Sequence, residues 1–212
     1  MPYQLFYFFD FDQMRTRLLL ITICCFALMM ASCLQQTGNT SLSEEEKASY
    51  LEKGKAIAQA SFKALSSQLM KAMQTQGLEG AVTYCNVKAL PITDSLSEAY
   101  QATISRTTLQ PRNPANSPDE AEKALLEAYH ATMASGGRPA PQVTTLEDGQ
   151  VLFTAPIMLK GQCLQCHGTV GQELPEQHYT LIQQLYPEDQ ATGYSKGDLR
   201  GMWSIRFAAE QM

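Results

Sequence analysis

Apolar residues recur every three or four positions in the first half of the chain, from about residue 43 to residue 76. This spacing predicts a long amphipathic helix that ends near Gly77. Ser43 and Glu46 match a capping box, which satisfies backbone N–H groups of the first helical turn. The apolar stripe favours packing into a core or against a second subunit over a cofactor role. Its members are Tyr50, Leu51, Gly54, Ile57, Ala58, Phe62, Leu65, Leu69 and Met73.

Three shorter segments also have helical patterns. Residues 80–90 predict a second helix that stops at Pro91, because the residue before a proline disfavours the helical conformation. Ser117 is expected to cap a helix over residues 118–135, with a proline at its first position and a glutamate at its third. Residues 175–186 predict the last helix.

Strands are predicted where apolar and polar residues alternate, over residues 99–108 and 203–207. Asp148 and Gly149 stand between two short apolar runs and predict a two-residue hairpin. The second strand of that hairpin continues through Pro156, which indicates an edge or a bulge there. Together the elements predict an α+β domain, in which helices flank a small antiparallel sheet and a long helix stands at the amino end.

The amino-terminal segment has the pattern of an export signal. Arg15 and Arg17 precede an apolar run over residues 18–30, and small residues follow it. The run is short for a membrane span and polar residues come after it, so a cleaved signal over residues 1–32 is favoured over a retained helix. The aromatic and acidic residues before Met14 make a poor signal start, so we expect Met14 to be the true start.

Cys33 follows the small residues of the signal directly, as in a bacterial lipobox. We therefore expect Cys33 to carry lipid and to anchor a periplasm-facing lipoprotein in the membrane; a soluble periplasmic protein is the alternative. Residues 33–42 predict a polar tether, and residues 43–212 have the length of one folded domain. The net charge of −5 excludes nucleic acid as an expected partner.

The run Cys163-Leu164-Gln165-Cys166-His167 carries the most specific chemistry of the chain. C-x-x-C-H is the attachment motif of a c-type haem, with one thiol for each vinyl group and the histidine as an axial iron ligand. A structural zinc site needs four ligands and usually a second cysteine pair, which this sequence lacks. A thioredoxin-like dithiol would need a strand before it and a βαβ context. The motif therefore predicts one covalently bound haem.

The chain has six cysteines, and one of them has no role in these predictions. Two lie in the signal, Cys33 takes the lipid, and Cys163 and Cys166 take the haem. Cys85 remains, and burial is the commoner explanation for a single cysteine in an exported protein.

Several separated segments together resemble a known family. The segments are Tyr84-Cys85-Asn86, the strand and loop Ser105-Arg106-Thr107-Thr108-Leu109-Gln110-Pro111-Arg112-Asn113-Pro114-Ala115-Asn116-Ser117-Pro118, the strand Phe153-Thr154-Ala155-Pro156-Ile157 and the haem motif with Gly168. Their combination resembles the exported single-haem c-type proteins of a domain-of-unknown-function family with a PAS-like fold, and the resemblance covers residues 45–209.

The resemblance implies a PAS-like sheet and a six-coordinate iron, with His167 on one side and the Cys85 thiolate on the other. A thiolate ligand lowers the potential of the iron, whereas a methionine would raise it. The other side chains that could ligate iron are more commonly packing or surface residues. They are Met158, His130, His178 and Met202.

Arg106 and Arg112 are candidates for holding the haem propionates, because a guanidinium matches a carboxylate well. The alternative for the segment around Arg112 is purely structural, with Asn113 and Asn116 bonding their own backbone in a turn. The sequence leaves both interpretations open.

The expected function is that of a redox sensor, a small-ligand sensor or an electron carrier, acting on an unidentified redox or signalling partner. The amino-terminal helix is also a candidate interface for a homodimer. The alternative is a small haem enzyme of peroxidase type with an open distal site, which would depend on His130 as acid or base.

Overall fold

The structure is a computed structural model that describes residues 42–208. The predicted signal over residues 1–32 and the lipid-bearing Cys33 lie outside the described residues, as does the tether up to residue 41. Within the described part, every helix is too short or too polar to cross a bilayer.

Four helices and four strands make up the domain. The strands form one antiparallel sheet in the order β1-β4-β3-β2. The predicted α+β class, with its antiparallel sheet and long amino-terminal helix, is confirmed. In chain order the elements are α1 (Glu44–Tyr100), β1 (Ala102–Thr107), a 3₁₀ turn (Pro114–Asn116), α2 (Glu120–Ala134), β2 (Gln142–Thr145), β3 (Val151–Met158), a second 3₁₀ turn (Gly161–Cys163), α3 (Leu164–His167), α4 (Glu176–Leu185) and β4 (Leu199–Phe207).

Helix α1 is kinked at Gly77, where φ is 70° and ψ is −168°, values that glycine adopts most readily. The predicted end at Pro91 is wrong, because the helix runs on to Tyr100. Thr93 is buried and Leu96 packs against the core, so tertiary contacts hold the turn that follows the proline. Residues on both sides of the kink therefore contribute to one core.

The capping box of Ser43 and Glu46 is confirmed at the start of α1. The predicted cap of α2 is wrong by two residues, since Asp119 and Glu122 form the capping box. Ser117 instead closes the first 3₁₀ turn by donating its backbone N–H to the turn. Ser117 with Glu120 and Asp119 with Glu122 both fit the sequence pattern of a capping box. The 3₁₀ turn before α2 engages Ser117 and leaves Asp119 to cap the helix.

Five residues, 146–150, connect β2 and β3, so the prediction of a two-residue hairpin is wrong. The N–H of Leu146 donates to the carbonyl of Gln150 at 2.8 Å, and Gly149 takes a φ of 80° in the turn. Strand β2 pairs with β3 only as far as Thr154. Pro156 pairs with Met202 of β4 on one side and lies beyond the end of β2 on the other, so β3 has one open edge at this residue.

The two faces of the sheet carry different partners. Helix α1 covers the face that contains Ile104, Phe153 and Ile205, and α2 covers the other face through Leu126 and Tyr129. Because side chains alternate along a strand, Arg106 lies on the α1 face, two residues beyond Ile104. Ala102 and Trp203 belong to the same core as Ile104, and Ile57 and Ala58 of α1 pack into it from the helix.

Candidate functional site

The C-x-x-C-H run forms a single short helical segment, made of the second 3₁₀ turn and α3. Leu164 anchors it by packing into a buried cluster with Leu159 and Tyr194. Cys163 and Cys166 are half-buried free thiols. Since they are three residues apart on one helical turn, both thiols lie on the same side of the segment.

His167 is held in one tautomer by its surroundings. Its Nδ1 lies 2.8 Å from the carbonyl oxygen of Ala191, which can only accept a hydrogen bond. Nδ1 therefore carries the proton, and Nε2 keeps a free lone pair. Burial, reinforced by the positive charge of Arg112, lowers the pKa of His167 well below its usual range. The imidazole is neutral and ready to ligate a metal.

Arg112 connects the motif to the loop that follows α4. Its Nη2 donates to the carbonyl of Cys166 at 2.6 Å and to that of Ala191 at 3.1 Å. Its Nε donates to Oδ1 of Asp189 at 3.1 Å. The Asp189 side chain is 1% exposed and that of Arg112 is 13% exposed, so this ion pair is shielded from water.

Cys85 lies on the part of α1 that follows the kink, close enough to the motif for its charge to raise the pKa of Cys166. Burial raises the pKa of Cys85, and the positive charges of Arg106 and Arg112 oppose that rise. The neighbouring Asn86 donates from Nδ2 to the carbonyl of Leu185 at 3.2 Å, which ties α1 to the end of α4. The structure thus brings Cys85 to the motif.

The Arg106 guanidinium is a partly buried cation that finds no hydrogen-bond or ion-pair partner among residues 42–208. Burial lowers its pKa, and the nearby Cys85 and Tyr186 act in the opposite direction. Arg200 lies in the same region, where it stacks on the ring of Tyr194 at 5.6 Å. The six residues predicted to hold the haem are thus in one region of the structure: Cys85, Arg106, Arg112, Cys163, Cys166 and His167.

Two of the other candidate iron ligands, His130 and Met202, lie on the α2 side of the sheet. His130 is exposed on α2, which packs on the opposite face of the sheet. Met202 is buried in the cluster beneath α2, and Met158 is 37% exposed. His178 lies on α4, with its Nδ1 buried and unpartnered within the described chain. The described residues contain no group of three or more His, Cys, Asp or Glu side chains that could hold a metal ion.

Several residues of the site had no signal in the sequence. Asp189 and Ala191 act through a buried carboxylate oxygen and a backbone carbonyl, in a loop without any motif. Tyr186 was expected only as the end of a helix, yet it lies beside Cys85. Asn113 has the structural role that the sequence allowed, since its side chain accepts from the N–H of Ala115 at 3.0 Å.

The fold and the site define an α+β domain in which a C-x-x-C-H segment faces a thiol from a long helix. The chain belongs to the Tll0287-like family, whose family model matches residues 39–208, and this agrees with the predicted resemblance. It is similar in fold to a solved structure described as the crystal structure of the cyanobacterial heme-protein Tll0287. That match has a TM-score of 0.55 and 22% identity, over 81% of this chain and 99% of the other. No curated protein matches the chain.

Proposed function

We propose that this protein is a c-type haem protein that carries one haem on Cys163 and Cys166, with His167 and Cys85 as the two axial ligands. The observation that carries the proposal is the bond from His167 Nδ1 to the Ala191 carbonyl beside two free thiols. A histidine that binds a metal through one ring nitrogen usually donates a hydrogen bond from the other, often to a backbone carbonyl. Membership of the family of a solved heme-protein also supports it.

The charges around the motif suit a haem with two propionates. Besides burial, the positive charges of Arg112, Arg200 and Arg106 lower the pKa of His167. The negative charge of Asp189 raises the pKa of Arg200. Three arginines and one aspartate give this region a net charge of +2, which matches the two negative charges of the haem propionates. Arg112 already donates to three protein acceptors, so Arg106 is the better candidate for a propionate.

The role proposed for the protein is redox sensing, small-ligand sensing or electron transfer. When bound, the haem supplies a one-electron change between ferric and ferrous iron. Two protein ligands leave no open position for a substrate, which favours these roles over turnover. The exposure of His130 on the far face of the sheet also argues against a peroxidase. A change at Cys85 would act on the part of α1 between Gly77 and Tyr100, tied to α4 through Asn86.

We place this haem protein on the periplasmic side of a membrane. An export signal over residues 1–32 and a lipid on Cys33 would account for that location. The partner would then be a redox or signalling protein that reaches the same compartment.

The proposal is tested by producing the full chain in a bacterial host with and without the machinery that attaches c-type haem. With the machinery, we expect pigment that stays on the denatured chain in acidified organic solvent, and a low-spin ferric spectrum. Without it, the same chain should be colourless. Pigment-free protein from the competent host would contradict the proposal and favour the zinc or dithiol alternatives. A high-spin spectrum with rapid peroxide turnover would favour the enzyme.

Replacing Arg106 with methionine should have opposite effects on the haem-free and the haem-loaded chain. The haem-free chain loses an unpaired, partly buried cation, so its free energy of unfolding should rise by about 1 kcal/mol. The loaded chain loses a propionate partner and should become less stable. Urea unfolding of both forms measures the two changes. Arg138→Met, at an exposed position, is the matched control, and equal shifts in both forms would refute a role toward the haem.

A further inference from the structure

We propose that Arg112 is a positioning residue that selects the tautomer of His167 by holding the Ala191 carbonyl against the imidazole. The inference rests on the proposed function in one respect, namely that His167 Nε2 is the atom that binds iron. It assigns to Arg112 a role toward the histidine rather than toward a propionate.

Arg112 contacts the chain on both sides of the histidine, at the motif and at the loop that follows α4. One end of the guanidinium donates to the carbonyl of Cys166, directly before His167 in the chain, and to the carbonyl of Ala191. The other end donates to Asp189, whose Oδ1 also accepts from the N–H of Ala191 at 2.9 Å. The carbonyl that accepts from His167 is therefore fixed from both sides of its residue.

Tautomer choice depends on this carbonyl. A neutral imidazole can carry its proton on either nitrogen, and the hydrogen bond made by one nitrogen decides which is free to bind a metal. An acceptor at Nδ1 leaves the lone pair on Nε2. If the carbonyl were free to turn away, the proton could move to Nε2 and block the ligating atom.

The loop has other attachments that do not pass through Arg112. The N–H of Gln190 donates to Pro111, and those of Gly193 and Tyr194 donate to the carbonyls of Gly168 and His167. A variant at Arg112 should therefore keep the loop near the motif while it releases the orientation of the Ala191 carbonyl. This separates a positioning role from general stabilisation.

The test uses the full chain without haem, labelled with ¹⁵N in its three histidines. Variants His130→Asn and His178→Asn assign the His167 signals. In the unaltered chain, we expect His167 to be protonated at Nδ1. In Arg112→Gln, the His167 signals should shift toward the form protonated at Nε2, while Arg138→Gln should leave them unchanged. Near-UV circular dichroism checks that each variant is folded.

A folded Arg112→Gln chain whose His167 stays protonated at Nδ1 would overturn the inference. If Arg112→Gln does not fold, Arg112→Lys decides: its single ammonium cannot hold three acceptors in the same plane, so the same shift is expected in part, and an unchanged spectrum overturns the inference. Haem attachment to the unaltered chain is scored separately. Its failure would count against the proposed function and would leave the tautomer result standing.

Discussion

We predict that replacing Cys163 and Cys166 together with serine abolishes the covalent haem attachment proposed for this protein. Serine is close to cysteine in size, but a hydroxyl cannot form the thioether bond that a thiol forms with a vinyl group. Each single replacement should leave one bond in place, since the two half-buried thiols are independent free groups on one turn. The measurement is the haem content per chain after denaturation in acidified organic solvent.

The control for this double variant is Cys85→Ser, which also replaces a half-buried free thiol with a hydroxyl. Cys85 lies on α1 and outside the attachment motif, so the covalent haem content should be unchanged. Pigment that remains on the denatured double variant would refute attachment through the motif. Loss of covalent pigment in the Cys85→Ser variant as well would point instead to a general failure of folding.

Replacing Cys85 with alanine is expected to convert the ferric protein from the low-spin to the high-spin form. In the proposed ligation, Cys85 would supply one of the two protein ligands of the iron, and alanine offers no donor atom in its place. Absorption and electron paramagnetic resonance spectra of the two proteins measure this change. Val87→Ala is the matched control, because Val87 is 56% exposed on the same part of α1 and should leave the spectra unaltered.

The variant Cys85→Met separates ligation from packing. A thioether can still bind the iron but carries no charge, so the protein should stay low-spin while its reduction potential rises. Low-spin spectra that are the same in Cys85→Ala and in the unaltered protein would exclude Cys85 as a ligand. In that case another side chain, Met158 or His178, would have to be tested in the same way.

The haem motif and most elements of the fold could be predicted from the sequence, because they depend on residues that are neighbours in the chain. The capping box of Ser43, the position of the hairpin at Gly149 and the turn that spaces Cys163 from Cys166 are all of this kind. The wrong predictions also rest on local patterns, but at these places a second pattern or a tertiary contact gave a different outcome. Pro91 did not end α1, because packing of the following turn outweighs the bond that proline removes.

By itself, then, the sequence determined the helical and strand segments, the α+β class and the chemistry of the motif, since local spacing and residue type specify each of them. Tertiary structure alone decided what surrounds the motif. It brought Cys85 near Cys166 and paired Arg112 with Asp189, and within residues 42–208 it left the Arg106 guanidinium without a hydrogen bond or an ion pair. The acceptor for His167 is a backbone carbonyl, which every residue possesses, so its selection depends on the folded path of the chain and leaves no mark in the sequence.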